Sequence, residues 1–286
     1  MSIAVLGTGL MGAAMTRRLC EQGVTVRVWN RTPERAQALE AVGARPCASA
    51  REAVQGADCV LLMLSDAVAI EEVLAGGGVS EALGGRVLVQ MGTIAPAQSR
   101  ALAATMAGLG ADYVEAPVLG SIPEAGKGEL LIMVGGEDGV VQRARGVLEQ
   151  LGPAPRHVGP VGQAAALKLA FNQLIASLTA GFALSLGLVR REGVAVDAFM
   201  QILRDSALHA PTFDKKLERE LGRRFDDPNF PLKHLLKDVD LFLSAARGDG
   251  LDPSGLEGVR ALLVQGMDAG FGELDYSALY AVIDPE

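Results

Sequence analysis

Lys168 and Asn172 lie four residues apart in "GQAAALKLAFNQL", a stretch with helical spacing, so their side chains share one face. The pair joins an ammonium to an amide at the polar start of an otherwise apolar helix. Residue types alone leave two readings open. Lys168 is either a helix-end cation reaching water, with Asn172 a satisfied polar residue, or the two face a reacting oxygen. In the second reading the ammonium stabilises charge growing on a carbonyl oxygen and gives it a proton.

A second constellation opens the chain. "IAVLGTGLMGAAM" sets Gly7, Gly9 and Gly12 in G-x-G-x-x-G spacing, with Leu10 and Met11 between, after a strand and before a helix. The first glycine permits a tight turn, the second lets a pyrophosphate reach the backbone, and the third lets the helix pack on the strand. The helix N-terminus then faces the phosphates. This predicts dinucleotide binding.

The second strand of such a unit ordinarily ends in an acid that takes the ribose 2′-hydroxyl of NAD. Here "TVRVWNRTPERA" continues with Asn30, Arg31 and Thr32. An amide, a guanidinium and a hydroxyl in a row suit a 2′-phosphate, which a carboxylate would repel. The cofactor expected is NADP(H). The plainer alternative is a capped turn with Thr32 as N-cap and Pro33 at N1.

The totals exclude several classes. Net charge is −8, and aromatics are 4% with one Trp, so neither phosphate-backbone binding nor base stacking is expected and nucleic acid is not a partner. Cys20, Cys47 and Cys59 are odd in number and lack ligand spacing; His157, His209 and His234 form no HExxH group. No metal site is expected, and a reducing, cytoplasmic setting fits. Strand-like residues begin at Ile3, so no signal peptide is expected. Leu169 to Val189 carries no charge for 21 residues, long enough to cross a bilayer. Asn172, Gln173, Ser177, Thr179 and Ser185 dilute it, and the expectation is a helix buried on all sides between domains or subunits rather than a membrane span.

These groups need elements to position them. Strands are expected at Ile3–Leu6, Thr25–Trp29, Cys59–Leu64, Val87–Met91, Asp112–Glu115 and Leu130–Val134, with helical stretches between. Alternation of β and α predicts an α/β domain with a doubly wound parallel sheet. Near Gly159-Pro160 the pattern turns helical, with helices expected at about 163–191, 196–206, 212–219, 232–247 and 254–269. The expected domains are 1–160, binding NADP, and 161–286, all-α, for substrate and oligomer contacts, beginning with a long interdomain helix.

With these motifs in order, the chain resembles the β-hydroxyacid dehydrogenases, the family of 3-hydroxyisobutyrate dehydrogenase and the glyoxylate/succinic semialdehyde reductases. "GTGLMGAAMTRRL" matches the cofactor turn and "EAPVLGSIPEAGKGEL" the substrate-binding stretch. "GQAAALKLAFNQL" matches the catalytic lysine helix and "FPLKHLLKDVDL" the C-terminal element that closes over the site. The resemblance implies an N-terminal Rossmann domain followed by an all-α C-terminal domain that assembles into a homodimer or homotetramer.

The resemblance also assigns roles. Lys168 and Asn172 become catalytic. Thr93, Gly120 and Ser121 are expected to hold a substrate carboxylate, with Thr93 also near the cofactor. Phe230 and Asp238 would lie near substrate and Lys237 near cofactor, while Leu64 and Ser65 line the nicotinamide side. One departure stands out: the family has serine in "APVSG", and this chain has Leu119, which removes a hydroxyl and makes the pocket more apolar. The function implied is NADPH-dependent reduction of small aldehyde acids such as glyoxylate or succinic semialdehyde. The alternatives are oxidation of a β-hydroxy acid, an imine reductase-like activity, which Lys168 disfavours, and a non-catalytic cofactor-binding protein.

Overall fold

The computed structural model describes residues 2–285. The chain divides into two compact units, Met1–Leu169 and Ala170–Glu286.

Among the described residues the first unit holds nine strands: β1 (Ser2–Leu6), β2 (Thr25–Trp29), β3 (Arg45–Pro46), β4 (Cys59–Leu62), β5 (Val87–Gln90), β6 (Asp112–Glu115), β7 (Val118–Leu119), β8 (Leu131–Gly135) and β9 (Arg156–Gly159). Between them run α1 (Leu10–Glu21), α2 (Pro33–Gln37), α3 (Ala50–Gln55), α4 (Ala67–Ala75), α5 (Pro96–Gly108), α6 (Ile122–Lys127) and α7 (Asp138–Leu151). The sheet order is β3-β2-β1-β4-β5-β6-β8-β7, with β9 beside β8. From β3 to β6 every pairing is parallel. The order reverses between β1 and β4, which makes the carboxyl ends of these strands the natural ligand crevice. Beyond β6 the sheet is not purely parallel, because β8 runs antiparallel to both β6 and β7.

Alternation along β1 shows why the sheet is doubly wound. Ile3 and Val5 belong to one core, with Met15 and Leu19 of α1 and Leu148 of α7. Ala4 and Leu6 belong to the other, with Val54 of α3, Ile70 of α4 and Met106 of α5. Both faces are covered, so β4 and β5 are buried along their whole length, β4 as an unbroken apolar run and β5 apolar up to Gln90. Each fully buried Leu or Val contributes about 1.5–3 kcal/mol.

The helix α8 (Gln163–Arg191) begins in the first unit and runs into the second, so the division at 169/170 falls inside it. The pattern change near 160 marks its start. The second unit continues with α9 (Val196–Asp205), α10 (Pro211–Leu221), α11 (Leu232–Gly248), α12 (Ser254–Asp268) and α13 (Leu279–Ile283). Ala176, Ala180, Ala183 and Leu186 form one stripe of α8 in the core of this unit, with Leu235, Val239 and Leu243 of α11 and Leu263 of α12. Small residues on that stripe allow close helix packing. The other face differs from the expectation of burial on all sides: Leu174, Leu178, Leu184 and Leu188 are exposed in the single chain. By length and composition α8 is also apolar enough to cross a membrane.

Candidate functional site

The glycine turn follows β1. Gly7 takes φ +98°, a conformation L side chains avoid, and its N–H donates to Trp29 O of β2 at 2.9 Å. A Cβ on Gly7 would strike the Met63 carbonyl after β4 and lie 2.9 Å from Leu64 Cδ2, while one on Gly12 would strike the Gly7 carbonyl. At Gly9 nothing lies within 4 Å of such a Cβ. The first and third glycines are thus closed by protein and the second faces open space. Gly9 is also the N-cap of α1, with no capping side chain and no acid in the first turn. The N–H groups at this helix start therefore present partial positive charge without a protein acceptor. Close by, Thr8 Oγ1 is buried with no hydrogen-bond partner. A bare helix start, an open glycine and an orphaned hydroxyl fit the pyrophosphate of a dinucleotide.

Beside it, the end of β2 carries the expected triplet. The Asn30 amide bridges two turns: Oδ1 accepts from Thr8 N at 3.0 Å and Nδ2 donates to Thr32 O at 3.0 Å. Its side chain thereby sets the shape of the loop. Thr32 is the N-cap of α2, but its side chain makes no capping hydrogen bond. The Arg31 side chain is 84% exposed and stands 3.7 Å from Glu72 Oε2. Such an exposed pair is worth about 0–1 kcal/mol and yields readily to a phosphate.

Leu64 and Ser65 follow β4. Leu64 packs against the sheet core. Ser65 Oγ donates to Asp66 Oδ2 at 2.9 Å, and Asp66 caps α4 by accepting from Ala69 N at 2.8 Å. After β5, the buried Gln90 side chain clamps Gly92: Nε2 donates to Gly92 O at 3.1 Å, and Oε1 accepts from Gly92 N. A Cβ on Gly92 would lie 2.6 Å from Leu64 O. The turn that carries Thr93 is therefore packed against the turn that carries Leu64.

Glu115, the first residue of "EAPVLGSIPEAGKGEL", was not among the expected site residues. Glu115 ends β6 and is 1% exposed. Its Oε1 accepts from Gly162 N and Ala164 N at 2.8 Å and from Ala165 N at 3.3 Å. Its other oxygen accepts from Ser99 Oγ, which lies 2.8 Å from Tyr113 OH. A buried carboxylate thus caps the first turn of α8, where the helix dipole favours negative charge. Lys168 stands one turn further along, on a helix pinned to the carboxyl end of β6. The available signal was an acid ending a strand that is otherwise buried after its first residue.

In the second unit, Asn172 of α8 and Asp238 of α11 are both buried, at 1% and 2% exposure. Asn172 Nδ2 donates to Asp238 Oδ2 at 2.5 Å. Lys237 Nζ lies 2.8 Å from Asp238 Oδ1 in an ion pair. Asn172 Oδ1 is buried without a hydrogen-bond partner among the described residues. The direct role of Asp238 in this structure is to fix the Asn172 amide with its oxygen left to accept. Phe230 packs edge-on against Tyr276, centroids 5.8 Å apart, at the border of the helical core.

The β7 turn carries Gly120 and Ser121 at the start of α6. Gly120 takes φ +129°, and a Cβ there would lie 2.9 Å from Leu130 Cδ2 and 3.2 Å from Glu124 Cβ. Ser121 N and Ser121 Oγ both donate to Glu124 Oε2, at 2.8 and 2.7 Å. The Ser121 hydroxyl, expected to serve a substrate carboxylate, is committed to a carboxylate of the protein.

Comparison with known proteins agrees with this geometry. Residues 2–159 match the family model described as the NAD binding domain of 6-phosphogluconate dehydrogenase. Residues 162–283 match the model described as NAD-binding of NADP-dependent 3-hydroxyisobutyrate dehydrogenase. Glyoxylate/succinic semialdehyde reductase 1 of Arabidopsis thaliana is 30% identical over 285 residues, spanning 99% of this chain and 98% of that protein. An NAD-dependent L-serine dehydrogenase of Pseudomonas aeruginosa is 31% identical, over 99% and 98%. Among solved structures, Mycobacterium tuberculosis 3-hydroxyisobutyrate dehydrogenase with L-serine superposes with a TM-score of 0.88 at 25% identity, over 99% of this chain and 98% of that one. On these matches the chain belongs to the β-hydroxyacid dehydrogenase family, NAD(P)-dependent oxidoreductases that act on hydroxyl and carbonyl groups.

Proposed function

We propose that this protein is an NADPH-dependent reductase that converts a small aldehyde to its alcohol, with Lys168 as proton donor. The carrying observation is the end of β2, where the strand ends in no acid and an exposed Arg31, loosely paired with Glu72, adjoins Thr32 beside the glycine turn. That arrangement accommodates a 2′-phosphate and disfavours the bare ribose. Reduction is the direction that NADPH pools favour. One relative is named as NAD-dependent, so the preference rests on residues 30–32 of this chain rather than on family membership.

When bound, the reduced nicotinamide supplies hydride to the carbonyl carbon. The chain's own groups do the rest. The start of α1 and the open face of Gly9 hold the pyrophosphate; Thr93, Leu64 and Ser65 form the turns at the carboxyl ends of β4 and β5. The Lys168 ammonium stabilises the growing oxyanion and gives up its proton, worth about 10²–10⁴ in rate. Asn172 orients the reacting oxygen or the ammonium, and Asp238 holds the Asn172 amide in its accepting orientation. Lys237 serves the cofactor and Phe230 the apolar wall of the substrate site.

The aldehyde reading is supported by relatives named as glyoxylate/succinic semialdehyde reductases. The acid half of that reading, small aldehyde acids, rests on Thr93, Gly120 and Ser121, of which Ser121 also caps α6 through Glu124. Oxidation of a β-hydroxy acid, the second reading, would use the same residues with Lys168 as base. The protein works as a homodimer or homotetramer, with the exposed leucine face of α8 in the subunit contact, in the cytoplasm.

The test is a turnover screen that follows NADPH and NADH absorbance over aldehydes, aldehyde acids, hydroxy acids and cyclic imines. Faster NADPH oxidation with aldehydes supports the reading. Turnover confined to hydroxy acids with NAD, or to imines, overturns it.

A further inference from the structure

We propose that α8 pairs with the α8 of a second copy of this chain, antiparallel, about a two-fold axis at Gly181. The pairing rests on the proposed assembly through α8 and fixes its geometry.

The exposed face of α8 reads the same in both directions. Leu174, Leu178, Gly181, Leu184 and Leu188 stand at −7, −3, 0, +3 and +7 about the glycine. At about 100° per residue, all five fall within about 60° of one line along the helix. The four leucines are 49, 37, 64 and 62% exposed in chain order, and Gly181 is exposed between them. Gly181 has no role inside the chain: a Cβ there would meet nothing within 4 Å, whereas one on Gly187 would lie 3.2 Å from Asp284 Cβ. Glycine is unfavourable in a helix interior, so a glycine at an open position is accounted for by a neighbour from outside the chain.

A two-fold axis at Gly181 turns this symmetry into contacts, because the same patch then meets itself. Leu174 meets the partner's Leu188. Leu178 comes level with the partner's Leu184, and the two glycines let the backbones approach at the axis. The antiparallel sense also opposes the two helix dipoles.

The surroundings of α8 favour the same sense. An open groove beside this face is lined by Gln173 and Ser177 of α8, Phe242 of α11, and Leu251 and Asp252 of the following loop. Gln173 and Arg191 lie about 80° to the same side of the Gly181 line. The antiparallel pair therefore brings the partner's Leu184 over Ser177 and the partner's Arg191 beside Gln173. There Asp252, an exposed carboxylate, faces a guanidinium whose side chain is 62% exposed even while it bonds Asp284. A parallel pair would leave Arg191 at the far end of the helix from this groove. Lipid is a poorer cover for the face, since Ala176, Ala180, Ala183 and Leu186 on the other side of α8 are held in the core of the folded unit.

The test is a charge swap read by sedimentation of the full chain at micromolar concentration. Leu174→Glu and Leu188→Lys, made singly, each set an unpaired charge against leucine and should weaken the pairing about 100-fold or more, halving the assembly. Combined in one chain they should restore it, because each glutamate then meets the partner's lysine. The two positions are 14 residues apart, about 21 Å along α8, so the rescue cannot come from a pair within one chain. Gly181→Cys, which fits the open space, should cross-link to its own copy on mild oxidation where the wild type does not, and it decides the matter if the charged variants unfold. Single variants that assemble like wild type, or a Gly181→Cys protein that gives no cross-link, overturn the pairing and keep the assembly. Wild-type protein that stays monomeric, with or without binding to phosphatidylcholine vesicles, overturns both. Neither readout uses turnover, so failure of the reductase reading leaves the result intact.

Discussion

Glu115 accepts the backbone N–H of Ala164 at 2.8 Å, four residues before Lys168 on the same helix. A buried carboxylate at the end of a sheet strand thus supports the start of the helix that bears the proposed proton donor. Replacing it by alanine leaves the N–H groups of Gly162, Ala164 and Ala165 without their acceptor. The expected cost is about 3 kcal/mol or more, read as a drop in Tm, with a matching fall in kcat. Glu115→Gln, which keeps an acceptor oxygen but loses the charge at the helix start, should fall between. A Glu115→Ala protein as stable as wild type would remove this anchoring role.

Asp238 fixes which way the Asn172 amide points, because a carboxylate accepts only from Nδ2. In Asp238→Asn the new amide can donate as well as accept, and Asn172 is free to turn over. We expect kcat to drop about tenfold, roughly one good hydrogen bond, while NADPH affinity is retained. Loss of NADPH affinity with unchanged kcat would place Asp238 at the cofactor instead.

The cofactor preference turns on one guanidinium. Arg31→Ala should weaken NADPH by about 10–100-fold, the worth of charge-assisted hydrogen bonds to a phosphate, and leave NADH within about threefold. Titration of each cofactor by nicotinamide fluorescence reads both. Equal losses for the two would show that Arg31 does not meet the 2′-phosphate.

The helical unit holds a pH-sensitive group. Glu220 on α10 is buried with Oε2 unpartnered, and burial pushes its carboxyl up to about 8 despite the nearby Lys216 ammonium, itself bonded to Asp275. The folded protein therefore holds a proton on Glu220 that the unfolded chain gives up near its ordinary value of 4.5. Stability from this group is complete below that value and is lost as pH rises through about 8. His234, which burial holds below its usual range, acts in the opposite sense at acid pH. The difference between Glu220→Gln and wild type isolates Glu220: the Tm advantage of the variant should grow from about pH 5 to 8 and then level off. A difference that does not change with pH would contradict the assignment.

Much of this was legible in the sequence, and the reasons are local. The glycine turn, the strand that precedes it and the helix that follows depend on backbone constraints that glycine spacing announces. Apolar runs such as "CVLL" mark strands covered on both faces, and the alanine stripe of α8 marks a helix packed closely on one side. What escaped were long-range side-chain choices. Glu115 reaches over 47 residues to Gly162, and Asn172 over 66 to Asp238; no spacing rule shows such partners. The antiparallel turn-back at β8 escaped because an apolar five-residue run carries no direction. The resemblance makes Ser121 a donor to substrate, while its S-x-x-E spacing with Glu124 also spells the capping box that the structure shows.

Whether Lys168 is the proton donor is decided by Lys168→Ala in single-turnover NADPH oxidation, with NADPH affinity measured alongside. The expected rate loss is about 10²–10⁴ with affinity for NADPH unchanged. A variant that oxidises NADPH against the same aldehyde at close to the wild-type rate would contradict it.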